Sequence, residues 1–507
     1  MTLPDMRFDV TAPATPLEDL GRVHLIAIGG AGMSAVARLL LARGVGVSGS
    51  DAADGPALRA LRDLGARVHL GHDAAHLAGV DTVVVSSAIR EDNVELAAAR
   101  AAGLRVLHRS QALASLMAGS RRVAVAGANG KTTTTSMLVV ALDAAGERPS
   151  YACGAEIAQL ATNAAIGVGS VFVVEADESD GSFLAYRPDV AVVTNVQPDH
   201  LDFYGTAERV EEAYAAFAAT VPADGLVVAC FDDPGSRRLA QAVRSRGGAV
   251  VTYGYEVGAD LHVLSTEADG LGTHSSFVLD GCLSTLELLV PGPHNVMDAC
   301  AAYLAAVRGV GADADAVLTG LASFSGARRR FEVRGEVGGV TVVDDYAHNA
   351  PKVAAVVSTG ADLVRRAGSG SLHVIFQPHL YSRTRDFAVE FAHALAPADH
   401  VVLLDVYGAR EAPVDGISSA LIGDPLRELP GERSVLVGPS REDAVAAVAQ
   451  RARPGDLVLV VGAGDVTALA PLVVDALAGA RTAPDHRTTT DHRTTTDHRT
   501  TTDGGPR

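Results

Sequence analysis

The stretch Val123-Ala-Val-Ala-Gly-Ala-Asn-Gly-Lys-Thr-Thr-Thr-Thr135 decides the fold. Positions 123–126 form an unbroken apolar run, short enough for a buried strand. Gly127 and Gly130 break it, and Lys131-Thr132 open a helix predicted to run to Leu142. A strand, a glycine-bearing loop and a helix start make a phosphate cradle, because bare backbone N–H groups and the positive end of the helix dipole face one point. From there Lys131 reaches the outer phosphates of a nucleotide, and the Thr132 hydroxyl is a ligand for Mg2+. The loop Gly127, Ala128, Asn129, Gly130 is a shortened form, since the full pattern has a glycine where Val125 stands. The simpler alternative is a glycine turn beside a surface lysine. Composition weighs against it. Among 42 lysines and arginines only Lys131 and Lys352 are lysine. Arginine serves wherever a generic positive charge suffices, so these two positions require a compact ammonium.

A length of 507 residues suggests about three domains. Hydrophobic content of 48% without a long apolar run implies large cores and no transmembrane helix. The polar start, with Asp5, Arg7 and Asp9, lacks the apolar core of a signal peptide. Four scattered cysteines (Cys153, Cys230, Cys282, Cys300) have no C-x-x-C spacing, which points away from disulfides and zinc and toward a reducing cytoplasm. A net charge of -18 excludes broad nucleic-acid or anionic-membrane binding. Oligomeric state is not legible.

Upstream of the cradle, residues 1–20 read as a poorly ordered lead-in. A strand at 23–28 is followed by Gly29-Gly30-Ala31-Gly32-Met33-Ser34 and a helix to Ala42, then a strand at 45–48 and Asp51. This is a Rossmann-like βαβ unit with an acidic residue about 20 positions on. Its spacing departs from G-x-G-x-x-G, so a diphosphate at the helix N-terminus fits better than NAD, with Asp51 accepting from a ribose or base. Glycines that only permit tight packing are the alternative. Further strands are expected at 67–69, 82–86 and 105–107. His69, His72 and His76 read as solvated rather than as metal ligands.

Downstream, a strand at 170–174 ends in Glu175-Ala-Asp-Glu-Ser-Asp180, and one at 190–194 ends in Asn195-Val-Gln-Pro-Asp-His200. Ligands of parallel α/β sheets gather at such carboxyl ends. Glu175 and His200 are therefore candidate Mg2+ ligands, although His is a less usual one and a solvated acidic loop is the alternative. Asn295, near the start of a helix at 296–307, either caps it or meets an adenine edge. From 326 onward, strands at 340–343, 372–376, 401–404 and 457–461 end in polar or glycine residues and form a second α/β sheet. There His348, His379, Arg383 and Arg385 are placed to hold a carboxylate. The thrice-repeated Asp-His-Arg-Thr-Thr-Thr from Asp485 to Thr502 cannot bury a core and reads as disordered.

Nine motifs in order resemble the Mur ligases over about residues 22–475: Gly29-Gly-Ala-Gly-Met33, Gly130-Lys131-Thr132, Glu175–Asp180, Asp199-His200, His294-Asn295, Arg329-Arg330-Phe331-Glu332, Asp344–His348, Gln377-Pro-His379 and Gly462–Asp465. The resemblance implies an α/β chain of three domains. A Rossmann-like domain at 21–118 holds the uridine diphosphate, a P-loop-type ATPase domain at 119–325 holds Mg-ATP, and a Rossmann-like domain at 326–483 admits the amino acid, with the tail at 484–507. The implied substrates are UDP-N-acetylmuramate, L-alanine and ATP. The sugar carboxylate takes the γ-phosphoryl group to give an acyl phosphate, which the amine displaces. By motif position, Thr132, Glu175 and His200 ligate Mg2+. Residues 127–133, including Thr133, together with Asn295, Arg330 and Asp344, hold the nucleotide. Gly29, Gly30, Gly32, Met33, Ser34, Asp51, Ser87, His348, His379 and Arg383 face the substrates, and Lys131, His200, His348 and Arg383 carry the chemistry.

The chain departs from the family pattern at Ala128 (Thr), Asn129 (His), Gln197 (an acid), Leu380 (Arg) and Asn349-Ala350 (His-Pro). Leu380 and Asn349 fall on the amino-acid side, so a sister ligase adding another amino acid or a preformed peptide stands as the alternative. A nucleotide-sugar oxidoreductase is a second, but it leaves Lys131 and the acidic cluster without a purpose.

Overall fold

The structure of the protein, a computed structural model, describes residues 7–409, 411–482 and 505. The repeat from Asp485 to Thr502, expected to be disordered, and Arg410 lie outside the described residues.

Three α/β sheets follow one another along the chain. The first has five parallel strands in the order Arg67–Leu70, Val47–Asp51, Val23–Ile26, Thr82–Val85, Arg105–His108. The order reverses beside Val23–Ile26, which opens a crevice at the carboxyl ends of the strands. The second sheet has ten strands. Its cradle strand Arg121–Ala126 lies between Val190–Val193 and Val171–Glu175, parallel to both. Val123 to Ala126 are fully buried, as expected of a parallel strand covered on both faces. The third sheet has six strands, two more than expected: Leu457–Val461 and Leu372–Phe376 lie at its centre, and an antiparallel strand Glu332–Val337 lies at its edge.

Several expectations are corrected. Residues 7–20 are not a loose lead-in. Val10 and Leu20 are buried in the first core, and the Phe8 ring packs on His108 at 5.4 Å. The second sheet carries a three-stranded antiparallel extension, Leu261–Asp269, Gly272–Leu279 and Cys282–Leu288, that no sequence expectation covered. Its signal was present in Asp269-Gly270 and Asp280-Gly281, with both glycines at positive φ, a strong hairpin marker. The histidines at 69, 72 and 76 are not simply solvated. His72 and His76 contact the fully buried Glu95 carboxylate at 3.1 and 2.8 Å, and the rings of His69 and His76 stack at 3.9 Å. Burial alone would raise the Glu95 pKa, but hydrogen bonds from His24, Ser50 and His76 outweigh it and hold the group at about 2.

Among the described residues no helix is long and apolar enough to cross a membrane, and the four cysteines are free.

Candidate active site

A cavity of about 850 Å³ opens where the carboxyl ends of the three sheets converge. The first domain contributes Gly32 and Arg109, the middle one Lys131, Thr132, Glu175 and His200, and the third Arg330, His348 and Lys352.

The cradle folds as it does because its glycines leave no room for a side chain. Gly127 sits at φ +140°, and a Cβ there would lie 1.9 Å from the Thr194 hydroxyl. Gly130, in the left-handed region at φ +85°, would press its Cβ to 2.4 Å from an Asp298 oxygen. Behind it, Lys131–Ala144 forms the helix. The loop is tied from the neighbouring strand: Asn195 accepts from the Asn129 N–H at 2.9 Å, while Thr194 Oγ1 and Asn195 Nδ2 donate to the Asn129 carbonyl at 2.5 and 3.0 Å. Two departures from the family pattern meet here, as the Asn129 amide donates to Gln197 Oε1 at 3.1 Å. The expected His and acid are thus both replaced, by two neutral amides that hydrogen-bond to each other.

The Lys131 ammonium donates to the Gly127 carbonyl at 2.6 Å and pairs with Glu178 at 2.8 Å. Burial alone would lower its pKa, but Glu178 and Asp177 outweigh this and hold the group charged. Glu178 is 2% exposed. Sequence reading did not single it out, because nothing in the loop Glu175–Asp180 marks which acid folds back on the lysine. Asp177 pairs with Arg109 at 2.7 Å, and Asp180 lies 3.3 Å from His108 and contacts Ser87. These contacts join the first domain to the middle one through its acidic loop. Ser87, expected at the substrate, is engaged in that joint.

Thr132 Oγ1 donates to Glu175 Oε1 at 3.0 Å, whose other oxygen accepts from the Gly154 N–H at 2.7 Å. A hydroxyl and a carboxylate at hydrogen-bond distance are the hard oxygen donors that Mg2+ prefers, and that ion takes few protein ligands alongside phosphates and water. The pair fits the ion. His200 lines the same cavity; its Nε2 lies 3.7 Å from Glu178 Oε1, and its backbone is left-handed at φ +52°. Among the described residues no cluster of three His, Cys, Asp or Glu side chains forms a metal site.

In the third domain, Arg330 donates to Thr132 Oγ1 at 3.1 Å and lies over the Tyr346 ring at 5.1 Å, bridging the middle and third domains. His348 donates from Nδ1 to the Tyr346 carbonyl at 3.0 Å, and its ring packs 5.8 Å from that of His379. Burial, reinforced by Lys352 and Arg383, pushes the His348 pKa well down, so the ring is neutral. Arg383 lies on the helix Tyr381–Asp386, outside the cavity lining, and helps lower the Asp199 pKa with His200 and Lys352. The structure does not bring Asp344 into the cavity lining. It is fully buried and accepts from Thr467 Oγ1 at 2.5 Å, while the next residue, Asp345, lines the cavity and accepts from the N–H groups of Phe331 and Ala347. Side chains alternate along a strand, so neighbours point to opposite faces. Asn295 lines the cavity but does not cap its helix, which starts at Pro293 behind Gly292; its amide donates to the Pro291 carbonyl at 2.7 Å. Leu380 is buried at φ +71°, and Asn349 caps the helix Ala350–Ala367 while donating to Asp199 at 3.4 Å.

In the first domain, Asp51 accepts from the Gly29 N–H at 2.8 Å, which closes the glycine turn. Gly32 abuts Arg109, where a Cβ would lie 2.4 Å from the guanidinium. Met33 and Ser34 are buried, Ser34 bonding the Ala31 carbonyl at 3.1 Å, and Gly30 precedes the first helical residue.

Comparison with known proteins agrees with this arrangement. Three family models match in order: "Mur ligase family, catalytic domain" over residues 22–121, "Mur ligase middle domain" over 125–306, and "Mur ligase, glutamate ligase domain" over 329–464. A UDP-N-acetylmuramate–L-alanine ligase of Paenarthrobacter aurescens is 52% identical across 93% of this chain and 100% of its own. The crystal structure of a UDP-N-acetylmuramate-alanine ligase from Thermotoga maritima superposes with a TM-score of 0.75 at 28% identity, covering 90% of this chain and 99% of that one. A UDP-N-acetylmuramate:L-alanyl-γ-D-glutamyl-meso-diaminopimelate ligase from Neisseria meningitides superposes at 0.56 with 28% identity, covering 61% of this chain and 100% of its own. With the three models matched in order over most of its length, the chain belongs to the Mur ligase family.

Proposed function

We infer that the protein joins L-alanine to the carboxylate of UDP-N-acetylmuramate at the expense of ATP, a step of peptidoglycan precursor synthesis. Support comes from full-length relatives of that name at about half identity. The observation that carries the reading is the Lys131–Thr132 cradle facing third-domain side chains across one cavity. A carboxylate is a poor electrophile, and phosphorylation supplies it with a leaving group. Lys131, held charged by Glu178 and Asp177, offsets the repulsion between carboxylate and γ-phosphate and stabilises charge in the transition state. Thr132 and Glu175 would hold Mg2+, which when bound screens phosphate charge as a Lewis acid. His200, beside Glu178, orients that acid. Arg330, joined to Thr132, brings the third domain over the cradle and excludes water from the acyl phosphate. The neutral His348 lies on the side from which the amine enters and is able to accept its proton. The site roles expected for Asn295, Ser87 and Asp51 become those of supports around the ligands. The four free cysteines suit a reducing cytoplasm.

The test is phosphate release by the purified protein with UDP-N-acetylmuramate, ATP, Mg2+ and each amino acid in turn. We expect release only with all components present, L-alanine being preferred. Sustained release without an amino acid or any other added amine nucleophile, or none with any amino acid, would overturn the reading. A preference for a tripeptide over L-alanine would instead support the peptide-adding alternative, which shares this fold.

A further inference from the structure

The cations around the cavity are not equally available to a ligand. Lys131 is paired with Glu178, Arg109 with Asp177, and Arg330 with Thr132 and the Tyr346 ring. His348 and His294 are kept neutral by burial. Lys352 differs. It lies in the first turn of the helix Ala350–Ala367, where Pro351, Lys352, Ala355 and Val356 together form one face toward the cavity. Asn349 caps this turn, accepting from the Lys352 N–H at 3.0 Å, and anchors it to Asp199 of the middle domain at 3.4 Å. Among the described residues the Lys352 ammonium has no hydrogen bond or ion pair. Its electrostatic neighbours are Lys131 and Arg330, which oppose its charge, and Asp199 and Glu178, which favour it. It is also the second of the two lysines in a chain that uses arginine elsewhere.

We propose, building on the ligase reading above, that Lys352 is a further catalytic residue whose ammonium contacts the phosphoryl group in transit from ATP to the substrate carboxylate, acting from the third domain while Lys131 acts from the middle one. In that step the bond from the γ-phosphorus to the ADP oxygen breaks as the carboxylate oxygen bonds to phosphorus. ADP leaves with the electron pair, and Lys352 keeps its proton and offsets charge. Burial, with Lys131 and Arg330 nearby, lowers its pKa to about 8 in the ligand-free protein. An anion arriving beside it relieves that penalty, whereas an anion meeting Lys131 must compete with Glu178. A point charge on a flexible stem suits a phosphoryl group that moves between two oxygens, which explains a lysine here rather than an arginine.

The test uses the full-length protein and its Lys352→Met and Lys352→Arg variants. Steady-state phosphate release is measured together with acyl phosphate formed without amino acid and trapped by hydroxylamine. We expect Lys352→Met to lower kcat about 100-fold and to slow trapping equally, with KM for UDP-N-acetylmuramate and L-alanine changed less than about 3-fold. Lys352→Arg should recover roughly a tenth of the wild-type rate or more, since charge returns without the compact shape. A Lys352→Met kcat within about 3-fold of wild type, or a loss confined to KM, would overturn the proposal. If Lys352→Met does not fold, Lys352→Gln carries the same expectation, and unfolding of both would assign Lys352 a structural role and likewise overturn it. A wild-type protein that releases no phosphate fails the ligase reading itself, before any variant is compared.

Discussion

Two glycine-rich turns, Gly29–Ser34 in the first domain and Gly127–Thr132 in the middle one, begin from the same plan of strand, loop and helix, and the structure completes them differently. In the first, the carboxylate of Asp51 closes the turn on the Gly29 N–H, and no cationic side chain belongs to the turn itself. In the second, Gly130 adopts the left-handed region and Lys131 folds back over the loop into a group of acids. Its glycines are packed against Thr194 and Asp298; in the first turn Gly29 and Gly32 are as tightly packed, against Leu58 and Arg109, while Gly30 between them has its nearest neighbour at 3.5 Å from a would-be Cβ. The first turn is built to receive an anion passively, by backbone and helix dipole. The second carries its own fixed positive charge, which phosphoryl chemistry uses.

The contrast can be broken at several points. The largest effect is expected for Lys131→Ala, which should reduce phosphate release by more than about 1,000-fold while UDP-N-acetylmuramate still binds the first domain, as calorimetry would show. Loss of that binding would mean that the two turns do not divide the work. Next, Gly127→Ala should cost about 3 kcal/mol of stability with loss of activity, whereas Gly30→Ala, at an ordinary φ of -61°, should stay within about 0.5 kcal/mol by chemical denaturation. Equal costs would show that the packing difference is immaterial. Asp51→Ala should remove about 1 kcal/mol of stability and raise KM for the nucleotide sugar, leaving kcat unchanged; a fall in kcat alone would contradict a role confined to the first turn.

The smallest effect concerns pH. The His294 pKa is lowered to about 4 by burial, so the stability it supports is full above its ordinary 6.5 and is lost as pH falls through about 4. The Glu95 pKa is lowered to about 2, so its contribution is full above 4.5 and is lost only as pH falls through about 2. At about pH 5 the protection against hydrogen exchange, with the intrinsic pH dependence of exchange divided out, should therefore fall in the helix Pro293–Leu304 more than in Val94–Ala101, relative to pH 7. The opposite order would sink this assignment.

Much of the fold was legible because apolar runs such as 123–126 and 457–461 are buried on both faces and carry the strand signal in full. The antiparallel extension at 261–288 was missed because one of its faces is exposed, so polar residues interrupt the pattern; its Asp-Gly turns were the readable trace. At the site, the Lys131–Thr132 cradle and Glu175 were found from their place at strand ends. The partners that set their state were not. Glu178, Asn195 and Asp298 are separated from the cradle by 47 to 164 positions, and local sequence does not encode which of several acids or amides will fold back.

By itself the sequence determined where the cradle strand, its glycine loop and the helix start fall, and the two places reserved for lysine, because those depend on local backbone geometry and on the chemistry of single side chains. Only the tertiary structure decided which charges meet. It paired Lys131 with Glu178, withdrew Asp344 from the cavity in favour of Asp345, matched Asn129 to Gln197, and left Lys352 without a partner among the described residues. The reason is physical: Coulomb and hydrogen-bond interactions act over a few ångströms in space, and the convergence of three separately folded sheets sets those distances.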